Sequence, residues 1–291
     1  MIANTDMIDT AIIPIAGRAK RHEPLSRVVP KALLPLPHPD GLAVPVVHWT
    51  CAEAAAAGIE QALLVVSPDQ QAVVEQYFAA AVSETHPLPL PPRIRTIVQP
   101  RPAGLGAAVS QAASELGEGR FLVMLGDHIY AHRRGIGACA SQVIEAAGRY
   151  PAAVAMIGVQ AVDAAELPRV GVLAGEPAGG RVYRCTDFVE KPDAETARLR
   201  LTTPDLEPGQ FLAHCGLYMF GPQILDCLTE VASMRGSSEE VELAAAQSML
   251  LDRHRGQYLA CRIDGRAWDT GTPRGYIDTF TAFACPGAKE S

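Results

Sequence analysis

Short apolar runs alternate with helical stretches along the first 127 residues of the chain. Four short runs predict strands. AIIPIA (11–16) and QALLVVS (61–67) are typical of buried parallel strands, IRTIVQ (94–99) predicts a third strand, and FLVMLGD (121–127) predicts a fourth that is very apolar until its aspartate. Helical patterns marked by proline or glycine lie between them, at 44–58, 68–81 and 104–116. This alternation predicts a doubly wound parallel sheet, whose ligands bind outside the carboxyl ends of the strands.

The second half of the chain has a less regular rhythm. Strand patterns occur at 152–160, 169–175, 181–192 and 257–263, and helical patterns at 222–233, 239–251 and 273–284. The strands at 169–175 and 181–192 are joined through EPAGG, which is typical of a turn. We therefore predict an α/β fold with a mixed, mostly parallel central sheet flanked by helices.

Composition limits the class of protein. A chain of 291 residues can bury one large core or two modest ones, and its 25 Lys and Arg against 32 Asp and Glu give a net charge of −7. An acidic balance argues against a nucleic-acid-binding protein. The basic segment at 18–31 is a local exception.

The cysteines and the apolar runs indicate the compartment. Seven cysteines lack CxxC or Cys/His ligand spacing, which argues against a zinc site and a disulfide framework; they are Cys51, Cys139, Cys185, Cys215, Cys227, Cys261 and Cys285. No apolar run approaches the roughly 18–20 residues that span a bilayer, and MIANTDMIDT lacks the regions of a signal peptide. We expect a soluble, cytoplasmic protein with reduced thiols and no membrane partner.

A basic loop, AGRAKRHEPLSRVVPK (16–31), follows the first apolar run and holds six basic residues when His22 is counted. A glycine-containing turn after a buried strand can direct backbone N–H groups at phosphate oxygens, and Arg and Lys supply charge. Taken alone, the loop is equally well a solvated basic turn.

Two aspartates are candidate metal ligands. Asp127 closes the very apolar run FLVML, and Asp269 lies in AWDTG. Mg²⁺ is usually held by one or two carboxylates together with substrate phosphates. Either aspartate alone is more simply a helix cap or a turn residue, so the argument rests on the pair combined with a phosphate loop.

Two further motifs carry polar groups at strand ends. VEKPD places Glu190 and Lys191 at the end of a strand, where a solvated charge pair is the simpler interpretation. QPRPAGLG (99–106) joins Gln99 to a glycine turn that opens a helix, a place where backbone can approach a flat base closely. An ordinary strand-to-helix turn explains the same pattern.

The order of these motifs resembles that of the bacterial UTP:glucose-1-phosphate uridylyltransferases, within the wider family of sugar-1-phosphate nucleotidylyltransferases. The resemblance runs from about residue 10 to 284 through IPIAG, PLSRVVPKALLPL, EAAAAGIEQALLVVS, GLGAAV, LGD, EKP, CGLYMF and WDTG. It implies a Rossmann-like nucleotidyltransferase fold in a single domain, 1–291, with a nucleotide-binding part at about 10–150 and a sugar-phosphate-binding part at about 151–285. It also implies a homo-oligomer.

The reaction that the resemblance implies joins a nucleoside triphosphate to a sugar 1-phosphate, gives a nucleotide sugar and releases pyrophosphate. UTP and glucose 1-phosphate are the expected substrates, and Mg²⁺ the expected cofactor. The sugar phosphate attacks the α-phosphorus in line, so that positioning and charge neutralisation supply the catalysis.

The resemblance also implies roles for individual residues. Arg21 and Lys31 would act on the triphosphate, and Lys191 on the sugar phosphate. The nucleotide-binding positions are Ala16, Gly17, Ala19, Gln99, Gly104 and Gly126. The sugar-phosphate-binding positions are Gly171, Glu190, Lys191 and Gly216, with Glu190 accepting hydrogen bonds from sugar hydroxyls. Asp127 and Asp269 would hold Mg²⁺.

The basic loop departs from the family pattern G-x-G-[ST]-R, since this chain reads Gly17-Arg18-Ala19-Lys20-Arg21. If position 19 needs a positive φ, alanine costs on the order of 1 kcal/mol there. The alternatives are an active enzyme with a rearranged loop, including one that uses another nucleotide or sugar phosphate, and a homologue that binds a nucleotide sugar without making it. A dinucleotide-dependent oxidoreductase is a third interpretation, but the chain lacks GxGxxG followed by an acidic residue.

Overall fold

A computed structural model describes residues 7–83, 86–116, 119–235 and 239–284. Its contacts divide the chain into two compact units, each made of separate segments. The first unit comprises Asp9–Pro102, Met124–Ser141 and Gly265–Ser291, and the second comprises Met1–Ile8, Ala103–Val123 and Gln142–Asp264. The predicted division of one domain near residue 150 stays a prediction.

The described residues form thirteen strands and eight helices. The strands are β1 Thr10–Pro14, β2 Pro35–Pro37, β3 Ala43–Pro45, β4 Gln61–Val66, β5 Arg93–Val98, β6 Phe121–Met124, β7 His128–Ala131, β8 Ala155–Asp163, β9 Gly171–Gly179, β10 Val182–Glu190, β11 Gln210–Phe220, β12 Tyr258–Arg262 and β13 Arg266–Asp269. The helices are α1 Val46–Ala56, α2 Pro68–Ser83, α3 Leu105–Ala113, α4 Ala138–Arg149, α5 Ala194–Arg200, α6 Gln223–Met234, α7 Leu243–Arg253 and α8 Pro273–Ala284.

The first unit contains the parallel strands β5, β4 and β1, in that order. The register pairs Thr10 with Gln61 and Gln61 with Arg93. Two short antiparallel pairs, β2 with β3 and β7 with β13, belong to the same unit. Its buried cluster includes Leu36, Trp49 and Phe283, so that α1 and α8 pack over one apolar core.

The second unit contains the strands β11, β8, β12, β10 and β9, in that order. β8 and β12 run parallel, while the pairs β11–β8, β12–β10 and β10–β9 are antiparallel. The longest strand, β11, is buried from Phe211 to Phe220. The predicted α/β class, with a mixed, largely parallel sheet flanked by helices, is confirmed.

Several elements differ from the sequence prediction. The helix predicted over 44–58 begins at Val46, because β3 ends at Pro45 and pairs with β2. The turn predicted at EPAGG is mostly strand, since β9 continues to Gly179 and the reversal occurs where Gly179 and Gly180 have positive φ. Five short elements were not predicted because they have too few residues to show a hydrophobic period: β2, β3, β7, β13 and α5. The strand β11 was not predicted because it is apolar on both faces and so shows no alternation.

The six described cysteines are buried and no disulfide joins any two of them, and Cys285 lies outside the described residues. In the described ranges, no helix combines the length and the apolar character that crossing a membrane requires.

A buried histidine in α1 makes the stability of the first unit depend on pH. His48 Nδ1 lies 2.7 Å from the Tyr77 hydroxyl and Nε2 lies 3.3 Å from the Leu88 carbonyl oxygen. Burial, followed by the charge of His86, lowers the pKa of His48 to about 4. In the unfolded chain this pKa is about 6.5.

Acidification is therefore expected to destabilise the folded protein through His48. Between about pH 6.5 and 4 the unfolded chain binds a proton at His48 that the folded protein does not, so stability rises with pH across this window. Lowering the pH from 8 to 5 should cost wild type about 2 kcal/mol more than it costs His48→Gln, which keeps hydrogen-bonding groups and does not titrate. Urea unfolding at several pH values measures this difference, and parallel pH curves for the two proteins would contradict it.

Candidate functional site

Three potential ligand groups converge in the first unit and form what we call the carboxylate cluster: Asp127, His128 and Asp269. Asp127 follows β6, and His128 begins β7. The antiparallel pairing of β7 with β13 places Asp269 directly opposite His128. One ligand atom from each residue lies within 4.8 Å of the others. A cross-strand pair thus brings together two aspartates that are 142 positions apart (269 − 127) in the sequence.

The carboxylate of Asp127 is engaged on both oxygens. Lys31 Nζ lies 2.5 Å from Oδ2, and His128 Nδ1 lies 3.0 Å from Oδ1. Burial raises the pKa of Asp127, but Lys31 and His128 outweigh it and hold this pKa well below its usual range. Burial lowers the pKa of His128, whereas the carboxylates of Asp127 and Asp269 raise it, and the net direction is upward. Asp127 is therefore an anion held between the ammonium of Lys31 and the imidazole of His128.

The WDTG segment fixes the cluster through its backbone. Thr270 donates to the carbonyl oxygen of Asp127 from both its N–H and its hydroxyl, at 2.8 Å each. Gly271 N–H donates to Asp269 Oδ1 at 2.6 Å. A Cβ on Gly271 would lie 2.8 Å from that oxygen and 2.9 Å from Asp127 Oδ2. The glycine therefore leaves the two carboxylates free of a side chain that would crowd both.

These groups fit a divalent cation. Two carboxylates approach the same small volume above Gly271, and carboxylate oxygens are the ligands that Mg²⁺ prefers. On β13, Arg266 stacks on the ring of Trp268, with its guanidinium carbon 3.8 Å from the ring centroid.

The basic loop, residues 16–31, belongs to the same unit and adopts the backbone conformation that its sequence makes costly. Ala19 has φ 47° and ψ 40°, the left-handed region, and caps a short turn at Lys20–His22. No described atom lies within 4 Å of the point where a Cβ on Gly17 would stand. The positive φ considered for position 19 is therefore observed, with alanine in place of the family's glycine.

The loop is joined to the carboxylate cluster through His22. This side chain is buried, and its Nε2 lies 3.1 Å from the carbonyl oxygen of Thr270. The neighbouring cations Arg18, Lys20 and Arg21 are exposed, and none of them forms an ion pair with a described residue. The loop therefore offers three unneutralised charges from a backbone anchored beside Asp127 and Asp269.

The other predicted nucleotide-binding residues lie at strand and helix ends. Ala16 is buried just after β1, and Gln99 is buried just after β5. A Cβ on Gly126 would lie 2.2 Å from Ile15 Cγ2, so the turn before Asp127 requires glycine. In the second unit, Gly104 precedes α3 with φ 93°, and a Cβ there would meet the Val241 carbonyl oxygen at 2.6 Å. Gln99 and Gly104 thus belong to different units, and each is held by its own surroundings.

A second group of predicted residues lies together in the second unit. β9 and β10 pair Gly171 with Glu190, whose Oε2 lies 2.8 Å from the point where a Cβ on Gly171 would stand. Lys191 Nζ lies 3.3 Å from Glu190 Oε1. Lys191 has φ 51°, and its N–H donates to the Val170 carbonyl oxygen at 3.0 Å. The strained backbone after Glu190 directs the lysine back towards the carboxylate.

His214 precedes Cys215 and Gly216 in AHCGLYMF, a segment whose sequence bears on sugar specificity, and it lies in this group. Its ring stacks on Phe188 at 4.8 Å between centroids, and its Nδ1 lies 3.1 Å from the same point above Gly171. Burial lowers the pKa of His214 to about 3, so the imidazole is neutral. Its Nε2 is buried without a hydrogen-bond partner among the described residues. The motif CGLYMF does not predict this contact. The glycine of the motif, Gly216, has a positive φ of 74°, a conformation that favours glycine.

Comparison with known proteins identifies a family. The model of the family described as nucleotidyl transferase matches residues 10–284.

Curated relatives cover nearly the whole chain. The chain is 30% identical over 285 residues to one Bacillus subtilis (strain 168) protein, with 93% of this chain and 95% of that protein covered. A second protein of the same strain, named UTP–glucose-1-phosphate uridylyltransferase, is 29% identical over 289 residues, covering 94% of this chain and 90% of its own length. UTP–glucose-1-phosphate uridylyltransferase 2 of Staphylococcus saprophyticus is 29% identical over 291 residues, with 95% and 92% covered.

Solved structures show the same fold. A UDP-glucose pyrophosphorylase complexed with UDP-glucose has a TM-score of 0.75 at 22% identity, covering 96% of this chain and 99% of that one. A UTP-bound enzyme of the same name from Acinetobacter baumannii has a TM-score of 0.72 at 23% identity, with 95% and 93% covered. The predicted Rossmann-like nucleotidyltransferase fold is thereby confirmed.

Proposed function

The chain belongs to the nucleotidyl transferase family, and we propose that it transfers the uridylyl group of UTP to glucose 1-phosphate, giving UDP-glucose and pyrophosphate. An oxygen of the sugar phosphate forms a bond to the α-phosphorus of UTP. The bond from the α-phosphorus to the oxygen that bridges it to the β-phosphorus breaks, and pyrophosphate leaves with that electron pair. The observation that carries the proposal is that Arg18, Lys20 and Arg21, which form no ion pair with a described residue, lie in a loop that His22 anchors beside two converging carboxylates.

The basic loop supplies the charge that a triphosphate requires. Arg18, Lys20 and Arg21 are exposed and lack described acidic partners, so binding a polyanion breaks no ion pair of theirs. A guanidinium donates two parallel hydrogen bonds to phosphate oxygens, and an ammonium acts as a point charge. Ala16, Gly17 and Ala19 contribute backbone N–H groups at the end of β1. The two charges added at positions 18 and 20 compensate for the second glycine that the loop lacks.

Lys31 and the cation of the carboxylate cluster would neutralise the phosphate charge during the transfer. Asp127 and Asp269 would hold Mg²⁺, which when bound neutralises phosphate oxygens. Lys31 now contacts Asp127 at 2.5 Å, and a bound triphosphate gives the ammonium a second anion. Catalysis of this kind depends on groups fixed in advance, and the WDTG backbone contacts fix Asp127 and Asp269.

The second unit supplies groups for a sugar phosphate. Glu190 is an acceptor for sugar hydroxyls, and Lys191 is a cation for the phosphate. A side chain at Gly171 would crowd Glu190, and Gly216 has a positive φ that favours glycine. We assign the base and the rest of the nucleotide to Gln99, Gly104 and Gly126. The two glycines lack side chains, so the backbone can approach the nucleotide closely.

The same proposal extends to the setting of the reaction. The net charge of −7 disfavours binding of nucleic acid, whereas the local basic loop can still bind small phosphorylated substrates. We assign the protein to the cytoplasm and expect a homo-oligomer, in line with the resemblance. Size-exclusion chromatography with light scattering measures the oligomeric state.

Turnover is expected with UTP and glucose 1-phosphate in the presence of a divalent cation. Pyrophosphate release should be measured for UTP, dTTP, CTP, ATP and GTP, each against glucose 1-phosphate and several other sugar 1-phosphates. We expect UTP with glucose 1-phosphate to give the highest kcat/KM in this panel. Absence of release from folded protein that still binds UDP-glucose would contradict the proposal and favour the binding homologue.

A further inference from the structure

We propose that His128 is a nitrogen ligand of the cation site, so that the carboxylate cluster selects a divalent transition ion such as Co²⁺ over Mg²⁺. The inference rests on the proposed function in that it concerns the metal of the same site. It differs from that proposal in the chemical class of the ion. Two carboxylates alone favour a hard cation such as Mg²⁺, whereas an added imidazole nitrogen favours a transition ion.

The position of His128 follows from strand pairing. β7 and β13 place His128 directly opposite Asp269, and Asp127 precedes it in the chain. The side chains of Asp127 and His128 are 19% and 15% exposed, so both are reached from outside while most of their surface is enclosed.

The spacing of the ligand atoms suits one octahedral ion. Neighbouring ligands on an ion with bonds of about 2.1 Å lie about 3.0 Å apart, and opposite ligands about 4.2 Å apart. His128 Nδ1 and Asp127 Oδ1 are 3.0 Å apart, and the cluster as a whole lies within 4.8 Å. Lys31 contacts Asp127 Oδ2, whereas Oδ1 faces His128, so Oδ1 is the oxygen that a metal bound to His128 would share.

The tautomer of His128 decides between two roles. With the ring proton on Nδ1, His128 donates to Asp127 Oδ1 and orients that carboxylate. With the proton on Nε2, the Nδ1 lone pair faces the same volume as Oδ1, and a metal takes the place of the shared proton. The first role leaves ion selectivity to the carboxylates, whereas the second changes it, so selectivity distinguishes them.

Metal binding by the full-length, metal-free protein tests the inference without any turnover. Co²⁺ affinity is measured by visible absorption and Mg²⁺ affinity by calorimetry, for wild type, His128→Asn and His128→Gln. We expect both variants to lose at least about tenfold in Co²⁺ affinity and less than about threefold in Mg²⁺ affinity. His254→Asn in the second unit is the matched control and should change neither affinity. Equal losses for the two ions, or no loss for Co²⁺, would overturn the inference.

Pulsed electron paramagnetic resonance of the Mn²⁺ form gives a second readout that needs no variant. A directly bound imidazole nitrogen produces ¹⁴N modulation in wild type, and absence of this modulation would overturn the inference even if the variants fail to fold. Pyrophosphate release is assayed separately with Mg²⁺ and Co²⁺. Intact Co²⁺ selectivity without release would count against the proposed function alone, and release without selectivity would count against the inference alone.

Discussion

Replacing Asp127 by asparagine is expected to lower kcat for pyrophosphate release about 1000-fold. The substitution keeps the shape of the side chain and an acceptor for His128, but it removes the negative charge that Lys31 and the cation share. A bound metal contributes several kcal/mol to stabilising transferred phosphate charge, and about 4 kcal/mol corresponds to a factor of 10³ in rate. The measurement is the initial rate at saturating UTP, glucose 1-phosphate and Mg²⁺.

Asp252→Asn is the matched control, because Asp252 is 70% exposed and pairs with Arg255 outside the candidate site. This variant should retain the wild-type rate. The rate of Asp127→Asn must be corrected for the folded fraction, since Lys31 loses a close partner and an unpaired ammonium in a partly buried place is destabilising. Turnover within tenfold of wild type in the folded variant would show that Asp127 does not hold the catalytic cation.

Replacing Glu53 by alanine is expected to lower the free energy of unfolding by about 3–5 kcal/mol. Glu53 lies in α1 with 2% exposure and accepts three backbone N–H bonds, from Gly137 at 2.6 Å, Ala140 at 2.8 Å and Cys139 at 2.9 Å. Burial raises the pKa of Glu53, while these bonds act to lower it. Because α4 begins at Ala138, the variant removes a carboxylate that accepts three N–H bonds at the buried start of a helix.

Urea unfolding at neutral pH measures the Glu53 effect. Glu60→Ala is the control, since Glu60 is 61% exposed and pairs with Arg93 at 3.4 Å, and it should cost under about 0.5 kcal/mol. Glu53→Gln should fall between the two, because its amide oxygen still accepts while its NH₂ group has no acceptor there. A loss below about 1 kcal/mol for Glu53→Ala would mean that other groups satisfy the start of α4.

The features of the first unit that follow from local pattern could be predicted from the sequence. β1 and β4 are continuous apolar runs, which is the usual pattern of a buried parallel strand. β5 alternates basic or polar residues with apolar ones and is partly exposed, so its sequence predicts a strand but not a buried one. The basic loop was visible as a cluster of charge after Gly17. The cost of alanine at position 19 was also foreseeable, because the family pattern places glycine there, and Ala19 does have a positive φ.

The parts that depend on pairing between distant segments could not be predicted. β7 and β13 have four residues each, too few to show a period, and their register alone places His128 against Asp269. The residue types and the resemblance both indicate the two aspartates as a pair, but the imidazole between them has no sequence signal. The contact of His214 with the space above Gly171 has none either, since it requires the pairing of β9 with β10 and β11.

The β7–β13 pair also bears on how such an enzyme can diversify. Between Ala131 and Arg266 the chain leaves the first unit after Ser141 and returns to it at Gly265. The register of the two strands is set by their own backbone hydrogen bonds, so it does not depend on the length of the excursion. Insertion into the intervening segment, or its replacement, can therefore change which sugar phosphate is recognised. The pairing of β7 with β13 still places Asp269 beside Asp127. Evolution can retune one substrate while the phosphate chemistry is inherited unchanged.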